Sequence, residues 1–372
     1  MTNKPRFVGE KVKLGELGKT QSGGTPSSKH PEFFSGSIPW IGTTALNGKL
    51  LDESNAVKMI TAEAVEKSAT KIVPAGSIMV GIRVGVGKVA INSVPMCTSQ
   101  DIVSIIGIDE GQWNKEYISL ALQYKAPILA SQAQGATITG VTSKTLKSIA
   151  IPVLPLASQN AIVSQLRSIE QQIACMTAML NQLDSLVKSR FIEMFGNPDE
   201  NSKSFETKSG SALFKIGNGK ARSQGKRFEE GVPAYGGNGI SWHTNEALVD
   251  HPTIVIGRVG RHCGNTRLVE EPCWVTDNAM FIKNFKVDCF ELVYLSVLME
   301  VINFNRFADA GDLWKITQKP FMEYRYPVPP LELQQEFAFF VQQVDKLKFI
   351  AQQQIEKLQE LYDSLAQEYF GV

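Results

Sequence analysis

The sequence has almost no excess charge of either sign. Its 372 residues include 38 lysines and arginines against 37 aspartates and glutamates, a formal net charge of +1 at pH 7. This balance excludes a protein that binds nucleic acid through a strongly basic overall composition. Apolar residues make up 43% of the chain, which excludes wholesale disorder. The length predicts two or three domains with sizeable cores.

Cysteines and long apolar runs are also scarce. The five cysteines are widely spaced, and no two form a Cys-x-x-Cys pair, which disfavours a disulfide framework and a zinc ribbon. The first ten residues contain no apolar signal-peptide core. No run approaches the ~18 apolar residues of a membrane-spanning helix. We therefore expect a soluble, cytoplasmic protein with reduced thiols and no contact with a membrane.

What the sequence does contain is a long internal repeat. Near the start of each copy, matching residues are no longer separated by the 175 residues found elsewhere, which predicts that the two copies differ by insertions there. Three segments recur after 175 residues: Ile151-Pro-Val-Leu-Pro-Leu-Ala-Ser-Gln159 as Tyr326-Pro-Val-Pro-Pro-Leu-Glu-Leu-Gln334, Arg83-Val-Gly85 as Arg258-Val-Gly260, and Phe195-Gly196 as Phe370-Gly371.

Each copy begins with a mixed, strand-rich section. Short β-branched and aliphatic runs bounded by glycine and proline predict strands at 77–84, 88–91, 101–106, 253–257 and 279–282. Helical stretches are predicted between them, at 115–124 and 291–300.

Each copy ends in a long predicted helix, which follows a proline and stops at a glycine. Its apolar residues recur in steps of three and four, the pattern of a heptad seam. The first seam comprises Ile162, Leu166, Ile169, Ile173, Met176, Leu180, Leu183 and Val187. The second comprises Phe337, Val341, Val344, Leu347, Ala351, Ile355, Leu358, Tyr362, Leu365 and Tyr369.

The length of these helices predicts the architecture. A helix of about 60 Å cannot bury its apolar stripe against one small domain, so its natural partner is the equivalent helix of the other copy. We predict an α/β (α+β) fold in which two mixed, strand-rich domains are separated by a long antiparallel two-helix coiled coil, with a pseudo-twofold internal repeat. The predicted boundaries are 1–155 and 207–330 for the two domains, 156–196 and 331–372 for the helices, and 197–206 for a polar linker.

The sequence offers little catalytic chemistry. The segment Gly81–Lys88 resembles a P-loop but lacks its first glycine and its closing Ser or Thr, so a glycine hairpin between strands explains it better. A nuclease-like carboxylate set at Asp199 and Glu206 lies in the polar linker, where we expect solvated side chains. His262-Cys263 and Cys273 have no known zinc spacing and indicate buried thiols. We predict no catalytic residue and no metal site.

The repeat resembles that of the specificity (S) subunits of type I restriction–modification systems. The resemblance covers the whole chain and rests on the duplication itself, on the Pro-x-x-Pro-Leu-x-x-Gln sequence that opens each long helix, and on the Phe-Gly that closes it. Further family-like segments are Gly23-Gly-Thr-Pro-Ser27, Ile38-Pro-Trp-Ile41, Gly135-Ala-Thr137 and Val232-Pro-Ala-Tyr-Gly-Gly-Asn-Gly239.

The resemblance implies a non-catalytic subunit that reads double-stranded DNA. Each globular domain would be a target-recognition domain for one half of a bipartite, asymmetric site. The helices would set the spacer and bind two methyltransferase (M) subunits, to which restriction (R) subunits are added. No cofactor is expected in this chain, and S-adenosylmethionine, ATP and Mg²⁺ are expected on the partner subunits. The alternatives are a coiled-coil scaffold with two ligand-binding β-domains and a self-contained nuclease.

Both front sections contain side chains of the types that contact DNA. Phosphates favour Lys, Arg, Ser and Thr, whereas base edges favour Arg on guanine and Asn or Gln on adenine. Ordinary loop polarity is the alternative explanation for each position. In the first domain we predict contacts from Gln21, Ser22, Thr25, Thr43, Thr44, Arg83, Lys88 and Thr137. In the second we predict Lys220, Arg222, Lys226, Arg227, Tyr235, Asn238, Arg258, Arg261 and Lys315, with Arg83 and Arg258 as the best-supported pair because they stand at matching places beside glycines.

The neutral total hides an uneven distribution of charge. Residues 1–155 carry 16 basic and 11 acidic residues, whereas residues 331–372 carry 3 and 7. The second front section is neutral, with its basic residues concentrated at 203–227 and 258–267. The acidic second helix suits a protein partner better than phosphates. We therefore expect weak DNA affinity for the chain alone and further phosphate contacts from its partners.

Overall fold

The chain divides into two compact units, each of which is described separately. The computed structural model describes residues 7–132, 140–222, 225, 227–309, 311 and 314–371. Unit 1 comprises Met1–Cys175 with Gln354–Val372, and unit 2 comprises Met176–Gln353. Each unit therefore contains one globular section together with parts of both long helices.

The globular section of unit 1 mixes short strands and helices, as predicted. Short 3₁₀ helices stand at Pro31–Phe34, Thr43–Ala45 and Glu53–Asn55. The other elements are, in chain order, β1 (Lys11–Lys13), α1 (Leu14–Leu17), β2 (Lys19–Ser22), β3 (Ile38–Ile41), β4 (Leu50–Leu51), β5 (Lys58–Ile60), α2 (Ala62–Glu66), β6 (Ile72–Val73), β7 (Ile78–Gly81), β8 (Val89–Asn92), β9 (Met96–Thr98), β10 (Ile102–Ile106), α3 (Lys115–Ser131), α4 (Ser143–Lys147) and β11 (Ala150–Pro152).

Unit 1 contains two main sheets, with strand orders β2-β10-β7-β8-β4 and β5-β3-β9-β6, and a separate β1-β11 pair. The aliphatic strands β7 and β8 are buried along their whole length, because α3 and the second sheet pack on the first. A buried lysine on α3 contacts the end of the chain: the Nζ of Lys125 donates to the carbonyl of Phe370 at 3.0 Å. Burial lowers the pKa of Lys125 to about 8.

Unit 2 repeats this arrangement. A 3₁₀ helix stands at Phe304–Phe307. The other elements are α5 (Leu156–Phe195), which enters from unit 1, β12 (Glu206–Ser209), α6 (Gly210–Leu213), β13 (Phe214–Asn218), β14 (Val232–Gly236), β15 (Gly239–Thr244), β16 (Thr253–Gly257), β17 (Thr266–Val269), β18 (Trp274–Val275), β19 (Ala279–Phe285), α7 (Leu292–Ile302), α8 (Lys319–Glu323), β20 (Arg325–Val328) and α9 (Leu331–Phe370), which returns to unit 1.

The sheets of unit 2 have the strand orders β13-β19-β16-β17 and β15-β14-β18, with a β12-β20 pair. Strand by strand they match unit 1, including the parallel pair β14–β18, which corresponds to β3–β9. Two strands have no counterpart strand. At the place of β6 unit 2 has only the isolated bridge Val249–Cys273. At the place of β4, residues 42–57 of unit 1 are replaced in unit 2 by the short turn between β14 and β15. This confirms the predicted repeat with insertions in its front part.

The recurring Pro-x-x-Pro-Leu-x-x-Gln sequence has a structural role. The fully buried Gln159 accepts from the backbone N–H of Asn114 at 2.9 Å and donates to the carbonyls of Gln112 and Leu154. Gln334 repeats this pattern in unit 2: its side chain accepts from the backbone N–H of Glu291 and donates to the carbonyls of Cys289 and Pro329. Since Asn114 and Glu291 cap α3 and α7, each glutamine joins a long helix to the start of a domain helix.

The two long helices, α5 and α9, have 40 residues each and pack antiparallel, as predicted. In unit 1 the hydroxyls of Tyr362 and Tyr369 donate to Glu170 and Gln165, both at 2.9 Å. In unit 2 Lys348 pairs with Asp184 at 2.6 Å, and Arg190 pairs with Glu336 at 3.2 Å. In each unit, residue numbers rise along α5 as they fall along α9.

One predicted seam position is wrong. Leu347 is 53% exposed, whereas Val344 and Ala351 are buried. The heptad spacing after Val344 continues at Lys348, whose aliphatic stem lies at the seam while its Nζ reaches Asp184 and Asp345. Leu347 was predicted because it is apolar and lies one position away, but the heptad spacing places Lys348 at the seam.

The predicted solvated linker is also partly wrong. Asp199 forms a two-pronged ion pair with Arg306, at 2.5 and 2.6 Å, and accepts from the hydroxyl of Tyr324 at 2.9 Å. The guanidinium of Arg306 lowers the pKa of Asp199. Asp199 therefore attaches the segment after α5 to the rest of unit 2. Its carboxylate is engaged by Arg306 and Tyr324 and is not free for metal-dependent chemistry.

No helix in the described part of the chain is long and apolar enough to cross a membrane.

Candidate nucleic-acid interface

In unit 2 several loops meet at one edge of the domain. The N–H of Lys220 donates to the carbonyl of Val275 at 2.8 Å, and the N–H of Arg258 donates to that of Asn278 at 2.9 Å. These bonds tie together the segments that follow β13 and β16 and the connection between β18 and β19. We call this surface the unit 2 rim; it comprises residues 218–222, 236–238, 258–261, 276–278 and 314–315.

The rim is closely packed through glycines. A Cβ on Gly219 would lie 1.9 Å from the carbonyl oxygen of Thr276, and one on Gly257 would lie 2.9 Å from that of Gly237. Only glycine allows these backbones to approach so closely. The β14–β15 turn is therefore held against the end of β16, with Asn238 exposed at its tip.

Unit 1 has a corresponding rim, formed by residues 21–25, 42–44, 82–88 and 98–101. The N–H of Gly24 donates to the carbonyl of Thr98 as that of Lys220 does to Val275 in unit 2. Likewise the N–H of Ser99 donates to the carbonyl of Ile41 at 2.9 Å. The counterpart in unit 2 is the bond from the N–H of Thr276 to the carbonyl of Tyr235. Thr44 and Asn238 both lie three residues after these anchors, Ile41 and Tyr235, but Thr44 belongs to the segment 42–57 that unit 2 lacks.

The predicted match between Arg83 and Arg258 is shifted by one residue. The hydrogen-bond counterpart of Arg258 is Ile82, whose N–H donates to the carbonyl of Asp101 and whose own carbonyl accepts from Val141. The carbonyl of Arg258 accepts from Ile316 in the same way. Arg83 is therefore exposed on the same loop but not at the same place, because the hairpin that follows differs between the copies.

Most predicted contact residues lie on the two rims with exposed side chains. In unit 1 these are Ser22, Thr25, Thr44, Arg83 and Lys88. In unit 2 they are Lys220, Asn238, Arg258, Arg261 and Lys315. Lys315 reaches the rim from far along the chain, through a bridge with Val259.

Four other predicted residues make contacts within the protein. The side chain of Gln21 donates to the carbonyl of Ile72, and Thr43 is 7% exposed. Tyr235 is buried, which raises the pKa of its hydroxyl. The Arg222 side chain, 6% exposed, pairs with Glu246 and lies 4.4 Å from the Trp274 ring centroid.

Three predicted residues remain. The side chain of Arg227 lies 5.1 Å from the ring centroid of Trp242 and donates to the carbonyl of Arg222. Arg227 is exposed, but its guanidinium contacts Trp242 and Arg222 of the protein itself. Thr137 and Lys226 lie outside the described residues.

The unit 2 rim carries positive charge although its domain is neutral. Among the described residues, Lys220, Arg258 and Arg261 take part in no ion pair, and Lys315 approaches Asp309 only to 3.7 Å. In unit 1, Arg83 stands 3.6 Å from Asp101. Loose or absent pairing leaves these cations available for phosphates without the loss of a strong internal bond.

Sequence reasoning missed an exposed aromatic on the unit 2 rim. Trp314 is 40% exposed, and its carbonyl accepts from the N–H of Gly260 at 2.7 Å. An exposed indole beside Lys315 offers a face on which a base or a guanidinium can stack. The adjacent Trp-Lys pair was the available signal, but only the folded chain brings it next to Val259 and Gly260.

The surroundings of the other sequence features agree with structural roles. Gly81–Lys88 is a hairpin between the antiparallel strands β7 and β8, as predicted, with Gly85 and Gly87 at φ +68° and +82°. No group of three or more potential metal ligands occurs among the residues that the structure describes. Burial raises the pKa of the Cys273 thiol to about 11 and also raises that of Cys263, which disfavours thiolates.

Comparison with known proteins gives concordant matches. The family model described as type I restriction modification DNA specificity domain matches this chain twice, over residues 9–185 and 203–360. The specificity subunit of type I restriction enzyme EcoR124I/EcoR124II from Escherichia coli is 36% identical over 155 residues. That match covers 40% of this chain and only 38% of the relative.

Two longer matches extend the similarity. The type I restriction enzyme EcoprrI specificity subunit from Escherichia coli is 23% identical over 359 residues, which cover 91% of this chain and 88% of the relative. The crystal structure of a type I restriction-modification system S subunit from M. genitalium aligns with a TM-score of 0.60 at 16% identity. It covers 100% of this chain and 97% of that one, and it supports the fold described above.

Proposed function

Because this chain belongs to the family of type I restriction modification DNA specificity domains, we propose that it is the DNA-recognition subunit of a type I restriction–modification complex. Each globular section reads one half of a bipartite, asymmetric site on double-stranded DNA. The chain directs methyltransferase and restriction subunits to that site. It performs no catalysis by itself.

The observation that carries this proposal is the presence of the same rim in both copies. Each rim is built on the same backbone hydrogen bonds, yet the side chains differ: Arg258 is exposed, whereas Ile82 at the equivalent place is buried and its neighbour Arg83 is exposed instead. A conserved frame with different side chains is what reading two unlike half-sites requires. The boundaries predicted from sequence for the two domains, the helices and the linker remain part of this proposal.

The long helices provide the surface for protein partners. Phe339 and Phe349, both 63% exposed, and Ile350, 50% exposed, lie on the part of α9 that belongs to unit 2. Exposed aromatic and aliphatic side chains of this size are typical of interface anchors. We propose that two methyltransferase subunits bind through such surfaces, one for each half-site, and that restriction subunits join them.

The proposal assigns all cofactors to these partners. S-adenosylmethionine, ATP and Mg²⁺ would bind the methyltransferase and restriction subunits, and this chain would hold none of them. The complex would act in the cytoplasm, where the host DNA lies. The predicted contact residues Gln21, Thr43, Arg222 and Tyr235 would act by shaping the rims rather than by touching DNA.

The first test measures DNA binding by the complex with its methyltransferase subunits. Arg258→Ala should lower the slope of log affinity against log salt by about 0.9, the value for one lost phosphate contact, or relax specificity at one base pair if it reads guanine. Arg325→Ala is the matched control, because Arg325 is an exposed arginine that donates to Thr207 in the β12–β20 pair and not on the rim. Equal affinity, slope and specificity for both variants would argue against the unit 2 rim.

The second test is methylome sequencing of the host with and without the gene. A bipartite motif of modified adenines should disappear on deletion. If no motif disappears and the complex shows no preference among duplexes, the coiled-coil scaffold with two ligand-binding β-domains becomes the better explanation. Mg²⁺-dependent cleavage by the isolated chain would instead support a nuclease.

A further inference from the structure

Strand β17 leaves one edge of the unit 2 sheet open. It is the terminal strand of its sheet and bonds on one side only, to β16. In an antiparallel pair, alternate residues direct their N–H and C=O groups away from the partner strand. Since the carbonyl of Asn265 accepts from Gly257 on the β16 side, the outward groups belong to Thr266, Leu268 and Glu270. No strand in the described ranges bonds to them.

The same edge in unit 1 is covered by the chain itself. There β4 lies parallel to β8, with Leu50 opposite Ile91. The covering segment belongs to the insertion 42–57, which unit 2 lacks. Backbone hydrogen bonds at both ends of this strand pair also hold it: Gly48 N–H to the carbonyl of Val89 at 2.7 Å, Ile91 N–H to that of Lys49 at 3.3 Å, and Ser93 N–H to that of Leu51 at 2.7 Å.

The open and covered edges correspond residue by residue. The residue pairs Ile256–Thr266 and Val80–Val89 occupy the same place in the two sheets, one step before the equivalent glycines Gly257 and Gly81. Continuing along the two strands from Thr266 and Val89, Leu268 corresponds to Ile91 and Glu270 corresponds to Ser93. The unit 2 edge thus presents the same outward backbone groups that bind β4 in unit 1, and no strand among the described residues occupies it.

A groove with room for such an occupant runs along this edge. Two cavities of about 590 and 760 Å³ lie beside β17, and both are lined by Lys188 of α5 and by Ser296 and Glu300 of α7. The groove also includes exposed apolar side chains of the long helices, Phe349 at 63% and Ile192 at 44% exposure. It is therefore continuous with the helix surface proposed above for a protein partner.

The groove is lined by both signs of charge, including the cations Arg267 and Lys346, but its end beside Glu270 favours a cation. Glu270 takes part in no ion pair among the described residues, whereas Lys188 is already paired with Glu300 at 2.9 Å. Burial and, to a lesser extent, repulsion from Glu270 raise the pKa of the nearby Glu291 carboxyl. A cation placed here would relieve this repulsion, whereas a phosphate would increase it. The covering segment of unit 1 carries a cation of this kind, Lys49.

We propose that the β17 edge binds an extended segment of the methyltransferase subunit with a cation opposite Glu270, which adds a strand to the unit 2 sheet as β4 does in unit 1. The proposal rests on the proposed function for the identity of that subunit. Open sheet edges are ready templates for strand addition, because main-chain hydrogen bonds supply affinity while neighbouring side chains supply specificity. The two units would thus differ in how they hold their partners.

Amide hydrogen exchange on the full chain, alone and in complex with its methyltransferase subunits, tests this proposal. The amides of Leu268 and Glu270 should exchange freely in the chain alone and become at least tenfold slower in the complex. Those of Ile91 and Ser93 should be protected in both states. A complex that forms and protects α5 and α9, but leaves Leu268 and Glu270 unchanged, would overturn the strand-addition proposal while leaving the proposed function intact.

Two variants make the test specific to the backbone. Glu270→Ala removes the carboxylate but keeps the N–H, whereas Glu270→Pro removes both. The proline variant should bind the methyltransferase subunits about fivefold more weakly than the alanine variant, the effect of one hydrogen bond. Equal affinities would contradict the proposal. Concentration-dependent protection of Leu268 in the chain alone would also overturn it, because the occupant would then be a second copy. Failure to form any complex would instead refute the proposed function.

Discussion

Replacement of Gln334 by alanine should destabilise unit 2 selectively. The side chain is fully buried and satisfies three backbone groups, the N–H of Glu291 and the carbonyls of Cys289 and Pro329. Alanine can replace none of these hydrogen bonds. The equivalent replacement of Gln159 should affect unit 1 in the same way.

The expected loss follows from the number of groups left without partners. Each buried donor or acceptor without a partner costs about 1–3 kcal/mol, and water that enters the new cavity recovers part of this. We expect Gln334→Ala to lower the free energy of unfolding of unit 2 by roughly 3–5 kcal/mol. Gln335→Ala is the matched control, because the neighbouring Gln335 is exposed; it should stay within about 0.5 kcal/mol of the wild type.

Gln334→Glu gives a sharper test of the same geometry. Its carboxylate can still accept from the N–H of Glu291, but when ionised it faces two carbonyl oxygens and cannot donate. The folded-state pKa of this glutamate should therefore be raised. Relative to Gln334→Ala, the stability that it contributes should be present below about pH 4 and should fall as the pH rises through the raised value.

The assay is denaturant unfolding followed by residue-resolved hydrogen exchange, because two units need not unfold in one step. Gln334→Ala should accelerate exchange in α7 and leave α3 unchanged, and Gln159→Ala should do the reverse. If Gln334→Ala has no more effect than Gln335→Ala, or if both units respond equally, the assigned role of the repeated glutamine is wrong.

Three further predictions concern other contacts. The stability of unit 1 should rise by at most about 3 kcal/mol between pH 8 and 10.5, because Lys125 loses its proton at a lower pH in the folded state than in the unfolded state. Thermal unfolding measured against pH should show this rise, and Lys125→Met should abolish it. Asp199→Asn should cost unit 2 about 1 kcal/mol at neutral pH, discounted for the partial exposure of its ion pair with Arg306, and this cost should diminish as the pH falls below about 4; an unchanged midpoint would contradict it. Leu347→Ser should leave the unfolding midpoint within error, whereas Ala351→Asp should lower it strongly, since only the second position is buried.

The candidate site shows where sequence reasoning stops. Residue type alone proposed Thr43 and Tyr235 beside Thr44 and Asn238, and it could not distinguish the buried pair from the exposed one. The match of Arg83 with Arg258 followed a local sequence offset, whereas the hydrogen bonds align Arg258 with Ile82. Short glycine-rich loops tolerate such one-residue shifts, because their register is set by the strands on either side.

The repeat, the two long helices and their antiparallel packing could all be predicted from the amino-acid sequence. These features depend on local and periodic signals, namely proline and glycine at helix ends and apolar residues every three or four positions. The tertiary structure decided which sheet edge is left open, which polar residues reach the rims, and why the glutamine recurs in each copy. Those outcomes depend on contacts between residues far apart in the chain, such as Gln334 with Glu291 or Lys315 with Val259, which no local pattern specifies.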